Sequence, residues 1–239
     1  MKKHFFNLVA VLILFSCNTN SQTSSNLSAA EFKEAFENDE GIILDVRTEQ
    51  ELSNGYIENA STIDFYDADF EKKLGKIQKD KTVYVYCKSG GRSKKAAQLL
   101  TALGQSKVVN LSGGFMAWKK ANLPVSNQSS TQDKKIQELS IADFDSIISK
   151  HELVLIDFHT LWCAPCRKMS PIIDELEKDY QGKIHIFRVD MDKSEAVADM
   201  NNIEAVPTLV LFENEKEIWR NTGLMSKQEI EKILSKTLD

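Results

Sequence analysis

Four cysteines stand in this chain, at positions 17, 87, 163 and 166. Cys87 ends the β-branched and aromatic run Val83-Tyr84-Val85-Tyr86 and opens the loop Lys88-Ser89-Gly90-Gly91-Arg92. From Ser93 to Leu103 apolar residues then recur at Ala96, Ala97, Leu99, Leu100 and Leu103, the spacing of a helix face. A thiol where a strand ends, a glycine loop turns and a helix begins is placed for anion chemistry. Gly90 and Gly91 permit a curl that turns successive backbone N–H groups inward. The positive end of the following helix faces the same point, and Arg92 adds a fixed charge. Together these make an anion cradle centred on the Cys87 sulfur. There the thiol ionises readily and attacks a sulfur or phosphorus centre. The competing reading is a buried structural cysteine under a solvated or merely binding loop.

Cys163 and Cys166 stand three apart, one helical turn, in "VLIDFHTLWCAPCRKMSPIIDELEKDY". Their sulfurs can meet in a disulfide. The first lies at a helix N-terminus, where the dipole favours thiolate; the second is better shielded. That asymmetry suits exchange: Cys163 attacks an external disulfide and Cys166 resolves the mixed disulfide. Pro165 stiffens the turn, and Pro171 predicts a kink in the helix. No second ligand pair accompanies the CxxC, which argues against a structural zinc site, and no metal is expected.

The elements that must hold these thiols form two units. Strand-like runs at 41–47, 82–87 and 107–111 alternate with helical stretches at 28–38, 67–78, 93–103 and 114–121, which predicts an α/β domain with a mainly parallel sheet. Active sites in such sheets lie at the carboxyl ends of the strands, where Cys87 sits. The polar stretch "PVSNQSSTQDKK" (124–135) reads as an interdomain linker. The 239 residues are enough for two ordinary domains, and a net charge of −5 with scattered basic residues excludes a nucleic-acid footprint.

Residues 27–125 resemble a single-domain rhodanese through "LDVRTEQEL" (44–52), "GYIENA" (55–60), "CKSGGRS" (87–93) and "LSGGFMAWKKANLPV" (111–125). The resemblance implies that Cys87 accepts a sulfane sulfur as a transient persulfide and passes it to a nucleophile. Lys88, Ser89, Gly90, Gly91 and Ser93 would bind the substrate, Arg92 and the loop amides would stabilise the anion, and Asp45 and Arg47 would tie the loops together. Tyr56 stands where that family usually has histidine. The six-residue loop from Cys87 to Arg92 matches the sulfurtransferases; the related dual-specificity phosphatases have one residue more, which leaves phosphatase activity as an alternative.

Residues 135–239 resemble thioredoxin through "LIDFHTLWCAPCRKMSP" (155–171), "RVDMD" (188–192), "AVPTLVLF" (205–212) and Gly223. That resemblance implies a central mixed sheet flanked by helices. It also implies a cis peptide at Val206–Pro207 facing the cysteine pair, a proton-handling role for Asp157 beside the resolving thiol, and Trp162 at the active-site surface. Departures are His159 for a bulky aromatic, Ala164 for glycine, and Arg188 for a frequent lysine near Asp157.

Lys2 and Lys3 followed by "FFNLVAVLILF" read as a signal peptide over 1–16. "LFSC" (14–17) resembles the lipobox of bacterial lipoproteins, which implies lipidation of Cys17; residues 17–26 then read as a flexible tether. The expected domains are therefore 27–125 and 135–239, with a linker at 126–134. The expected protein is exported, held by its lipid in the bacterial cell envelope facing the periplasm, and needs no cofactor beyond its redox-active disulfide. Its expected partners are a sulfane-sulfur donor such as thiosulfate or a persulfide, and client disulfide proteins or a membrane thiol relay. The expected activity couples sulfur transfer to thiol-disulfide exchange. The alternatives are a disulfide reductase whose first domain only binds an anion or a partner, and a redox chaperone or adaptor.

Overall fold

In the computed structural model, residues 23–127 and 138–238 are described. Cys17, the leader and most of the linker lie outside them. β-branched and aromatic runs make the central strands of the first domain, which holds β1 (Thr23–Leu27), β2 (Ile42–Asp45), β3 (Ser61–Thr62), β4 (Thr82–Tyr86) and β5 (Lys107–Leu111). They pair in the order β1-β5-β4-β2-β3, and every pairing is parallel. β2 and β4 are buried at every position, as central strands covered on both faces must be. The covers are α1 (Ala29–Glu37), α2 (Glu49–Leu52), α3 (Phe70–Gly75), α4 (Gly91–Ala102) and α5 (Gly114–Lys120). Capping boxes start α1, from Ser28 to Glu31, and α2, from Thr48 to Glu51.

The second domain holds β6 (Leu153–His159), β7 (His185–Asp190), β8 (Thr208–Glu213) and β9 (Lys216–Thr222) in the order β7-β6-β8-β9. β6 and β7 run parallel; the pairs β6–β8 and β8–β9 run antiparallel. Its helices are α6 (Ile141–Lys150), α7 (Ala164–Asp179), α8 (Glu195–Met200) and α9 (Lys227–Leu238). Pro171 lies inside α7. Both sheets thus match the α/β, two-domain expectation.

Two details differ from the sequence reading. Residues 23–26, expected as the end of a flexible tether, belong to β1, which adds to the outer edge of β5. That strand is held by its main chain and by a hydrogen bond from Asn110 to Asn26, and its polar side chains offer no alternation to detect. The helix expected over 67–78 is confined to Phe70–Gly75. Asp67 and Asp69 precede it in a turn in which Asp67 accepts from the Asp69 amide.

The two domains do not have wholly separate cores. Ile63, Leu74 and Ile77 of the first and Trp162, Ile203 and Val206 of the second belong to one buried apolar cluster.

Candidate functional site

Two thiol sites stand at the carboxyl ends of two sheets. In the first, β4 delivers Cys87 into the loop ahead of α4. Gly90 adopts φ 97°, a left-handed conformation, and its N–H reaches the Cys87 sulfur at 3.2 Å. The Ser93 hydroxyl reaches the same sulfur at 3.5 Å from the first turn of α4. The loop is clamped from below by α5, whose Phe115 and Met116 amides donate to the carbonyls of Cys87 and Lys88 at 2.8 and 3.0 Å. Gly114 makes that approach possible: it has φ +58°, and a Cβ there would lie 2.3 Å from the Cys87 carbonyl oxygen. Burial pushes the Cys87 thiol up, but the Ser93 hydroxyl and the Ser93, Ser89 and Gly90 amides outweigh it, and the net shift is downward. Cys87 is a free thiol, 1% exposed.

Arg92, expected to stabilise the anion, is also engaged with an acid from the first domain. Its guanidinium makes two 2.7 Å bonds to the carboxylate of Glu51 and lies 5.7 Å from the ring centre of Tyr66. Glu51, held by Arg92 against the opposing effect of burial, is driven down to about 2. The sequence motifs do not single out Glu51, although Thr48 three residues earlier marks it as a helix-capping acid. Asp45 and Arg47 form the expected structural ion pair. Arg47 grips Asp45 at 2.6–2.9 Å, donates to the Gly55 carbonyl at 2.9 Å and stacks 4.0 Å from the Phe115 ring centre. Both residues are buried.

In the second site Cys163 and Cys166 form a disulfide, with Cα atoms 5.2 Å apart. Cys163 caps α7, and its sulfur accepts from the Cys166 amide at 3.1 Å, so the helix dipole points at the Cys163 sulfur. Cys163 is 2% exposed and Cys166 is 4% exposed. The Val206–Pro207 peptide is cis. Asp157 on β6 is 3% exposed, and one of its carboxylate oxygens has no hydrogen-bond partner. Burial raises it to about 7; Arg188, with Nε 3.7 Å away, opposes this and loses. A carboxyl at about 7 exchanges protons near neutrality. Burial holds the partly covered His159 imidazole below its ordinary range.

Sequence reasoning also missed the groups that meet this disulfide from the first domain. The Ser61 hydroxyl accepts from the Ala164 amide at 2.9 Å, the Thr62 amide donates to the Trp162 carbonyl at 3.1 Å, and Lys76 and Gln78 bond the main chain of Val206. No periodicity or spacing encodes contacts between segments a hundred residues apart.

Comparison with known proteins agrees with this geometry. The thioredoxin family model matches residues 135–236, and the rhodanese-like domain model matches residues 28–121. Thioredoxin of Staphylococcus aureus is 32% identical over 103 residues, covering 43% of this chain and 98% of the relative. Among solved structures, a Plasmodium falciparum thioredoxin is 32% identical over 42% of this chain and 98% of its own, with a TM-score of 0.39. A point-mutant thioredoxin from Halobacterium salinarum is 25% identical over 46% and 95%, also with a TM-score of 0.39. A dithiol–disulfide pair at a helix N-terminus, a cis-proline and a buried acid thus coincide with this match over nearly the full length of a thioredoxin. The chain belongs to the thioredoxin family: it is a thiol-disulfide oxidoreductase that carries a rhodanese-like module ahead of its thioredoxin domain.

Proposed function

We propose that the protein couples sulfur transfer to thiol-disulfide exchange in the cell envelope. Cys87 thiolate attacks the sulfane sulfur of a donor such as thiosulfate, sulfite leaves, and Cys87 holds a persulfide. Reduced Cys163 attacks the outer sulfur of that persulfide, and Cys87 departs as thiolate. Cys166 then attacks Cys163, expels hydrosulfide and closes the Cys163–Cys166 disulfide. One dithiol is oxidised and one sulfane sulfur is reduced to sulfide. An external reductant, a protein dithiol or a membrane thiol relay, restores the pair. No further cofactor takes part.

The observation that carries this reading is the set of donors on the Cys87 sulfur, the Gly90 amide at 3.2 Å and the Ser93 hydroxyl at 3.5 Å. They favour the anion that attacks at the start and leaves at the end. The remaining loop residues, Lys88, Ser89 and Gly91, would line the donor site. Asp157, raised to about 7, is suited to take the Cys166 proton. Trp162 and the Val206–Pro207 turn would contact a client. The leader, Cys17 and the "LFSC" match support lipid anchoring at a periplasmic surface, the only membrane contact in this account, and the scattered charge supports no nucleic-acid partner.

A second reading has its own observation. Arg92 is engaged with Glu51, and Cys87 is almost fully covered, as fits a module that binds an anion or partner without turnover. Thiosulfate with cyanide as acceptor separates the two. The first reading predicts thiocyanate formation that is lost in Cys87→Ser and kept in Cys163→Ser. No thiocyanate from the wild-type protein supports the non-catalytic module.

A further inference from the structure

We propose that the rhodanese-like domain is an internal occupant of the thioredoxin domain's client site, so that the dithiol meets disulfide clients only after the domains part. This rests on the thioredoxin reading of Cys163 and Cys166 and not on turnover at Cys87.

The main-chain groups around the disulfide are the natural partners of an extended client segment, and this chain fills them itself. On one side, β3 presents its outer edge. The Thr62 amide donates to the Trp162 carbonyl at 3.1 Å, and the Ala164 amide donates to Ser61 Oγ at 2.9 Å. Beside them Arg167 Nη2 donates to the Ala60 carbonyl at 2.7 Å. On the cis-proline side, the Val206 amide donates to the Lys76 carbonyl at 3.1 Å, and Gln78 Nε2 donates to the Val206 carbonyl at 3.2 Å. Both hydrogen-bonding groups of Val206 are thereby taken by the segment after α3. Ile63 and Ile77 join the apolar cluster that contains Cys163 and Val206, and Cys163 is left 2% exposed. A client strand would need the same atoms, so client and first domain exclude one another.

Charge closes the rim. Lys72 pairs with Glu195, Lys76 approaches Asp199 at 4.0 Å, and Lys76 Nζ also donates to the Ile203 carbonyl at 3.1 Å. Exposed pairs of this kind hold weakly and are screened by salt, so the rim yields before the apolar contact and the main-chain bonds behind it.

The closed arrangement also separates the two thiols. Tyr86, Asp45 and Thr62 stand in register across β4, β2 and β3, and Thr62 in turn meets Trp162. The chain of β4, β2, β3 and the Trp162 main chain thus stands between the ends of the two strands that deliver the thiols. A client disulfide does not reach Cys163 in this state, since Cys163 is covered.

The test is the alkylation rate of Cys163 by iodoacetamide in the reduced full-length chain, read by mass spectrometry of its peptide. The first variant, Lys72→Glu with Lys76→Glu, sets acid against Glu195 and Asp199. The second, Thr62→Pro, removes the amide that meets Trp162 while leaving the paired side of the β3 edge strand intact. Far-UV circular dichroism and an unchanged alkylation rate at Cys87 report that each variant is folded. Alkylation of Cys163 at least about tenfold faster in either folded variant than in wild type is the expected result. Equal rates in wild type and both folded variants overturn the proposal, and leave the sulfur-transfer reading to its own assay.

Discussion

Asp157→Asn should stabilise the oxidised protein, and by an amount that grows with pH. Asp157 ionises near 3.8 in an unfolded chain and at about 7 in the fold, because burial disfavours its charged form and Arg188 at 3.7 Å compensates only in part. Its folded pKa is raised. The favourable contribution is therefore complete below about pH 4 and is lost as pH rises through about 7. The difference is about 3 pH units, which at about 1.4 kcal/mol each amounts to ~4 kcal/mol of native-state penalty above neutrality. Asparagine keeps the shape and removes the charge. Urea unfolding of the disulfide form at pH 3 and at pH 8.5 measures the effect. The midpoints of variant and wild type should lie together at the low pH. At the high pH the variant should be more stable by up to about 4 kcal/mol, or about 1.3–4 M urea at the usual slope of about 1–3 kcal/mol per M. A gap that is the same at both pH values, or that favours wild type at pH 8.5, refutes burial of an uncompensated acid. On the proposal that Asp157 takes the Cys166 proton, the same change should also slow closure of the disulfide.

Other outcomes follow from the first domain. Arg47→Ala strands Asp45 as a buried, unpaired charge and should cost about 3–5 kcal/mol in urea unfolding at pH 7. Gly114→Ala forces a Cβ to 2.3 Å from the Cys87 carbonyl oxygen at φ +58°, so a loss of at least about 1–3 kcal/mol in urea unfolding and a rise in the Cys87 titration midpoint are expected. Glu51→Gln weakens the hold on Arg92 and should lower the KM for thiosulfate by about threefold or more, a change of roughly 0.7 kcal/mol; an unchanged KM places Arg92 outside donor binding.

The chemistry-bearing residues are legible in the sequence because their signals are local. Cys87 with Gly90 and Gly91, and Cys163 with Cys166, sit at strand–loop–helix seams that a few residues define. The Val206–Pro207 turn and the buried Asp157 are carried by resemblance, and the cis peptide and the full burial are there in the fold. What stays hidden depends on distant partners. The sequence shows Arg92 as a fixed charge beside the Cys87 loop, but not that Glu51 from another helix holds it through two charge-assisted bonds. β1 escapes notice because an edge strand of Thr, Ser and Asn is fixed by main-chain pairing, which leaves no hydrophobic pattern. The covering of the disulfide by Ser61, Thr62, Lys76 and Gln78 arises from two domains meeting, and neither domain's motifs imply it.

The coupling of the two thiol sites is tested most directly by a single turnover. Cys87 is loaded with one persulfide, the Cys163–Cys166 pair is reduced, and sulfide and dithiol are counted as the reaction runs. The account predicts one sulfide released for each Cys163–Cys166 disulfide formed, with release abolished in Cys163→Ser. Sulfide release at the same rate in wild type and Cys163→Ser contradicts it.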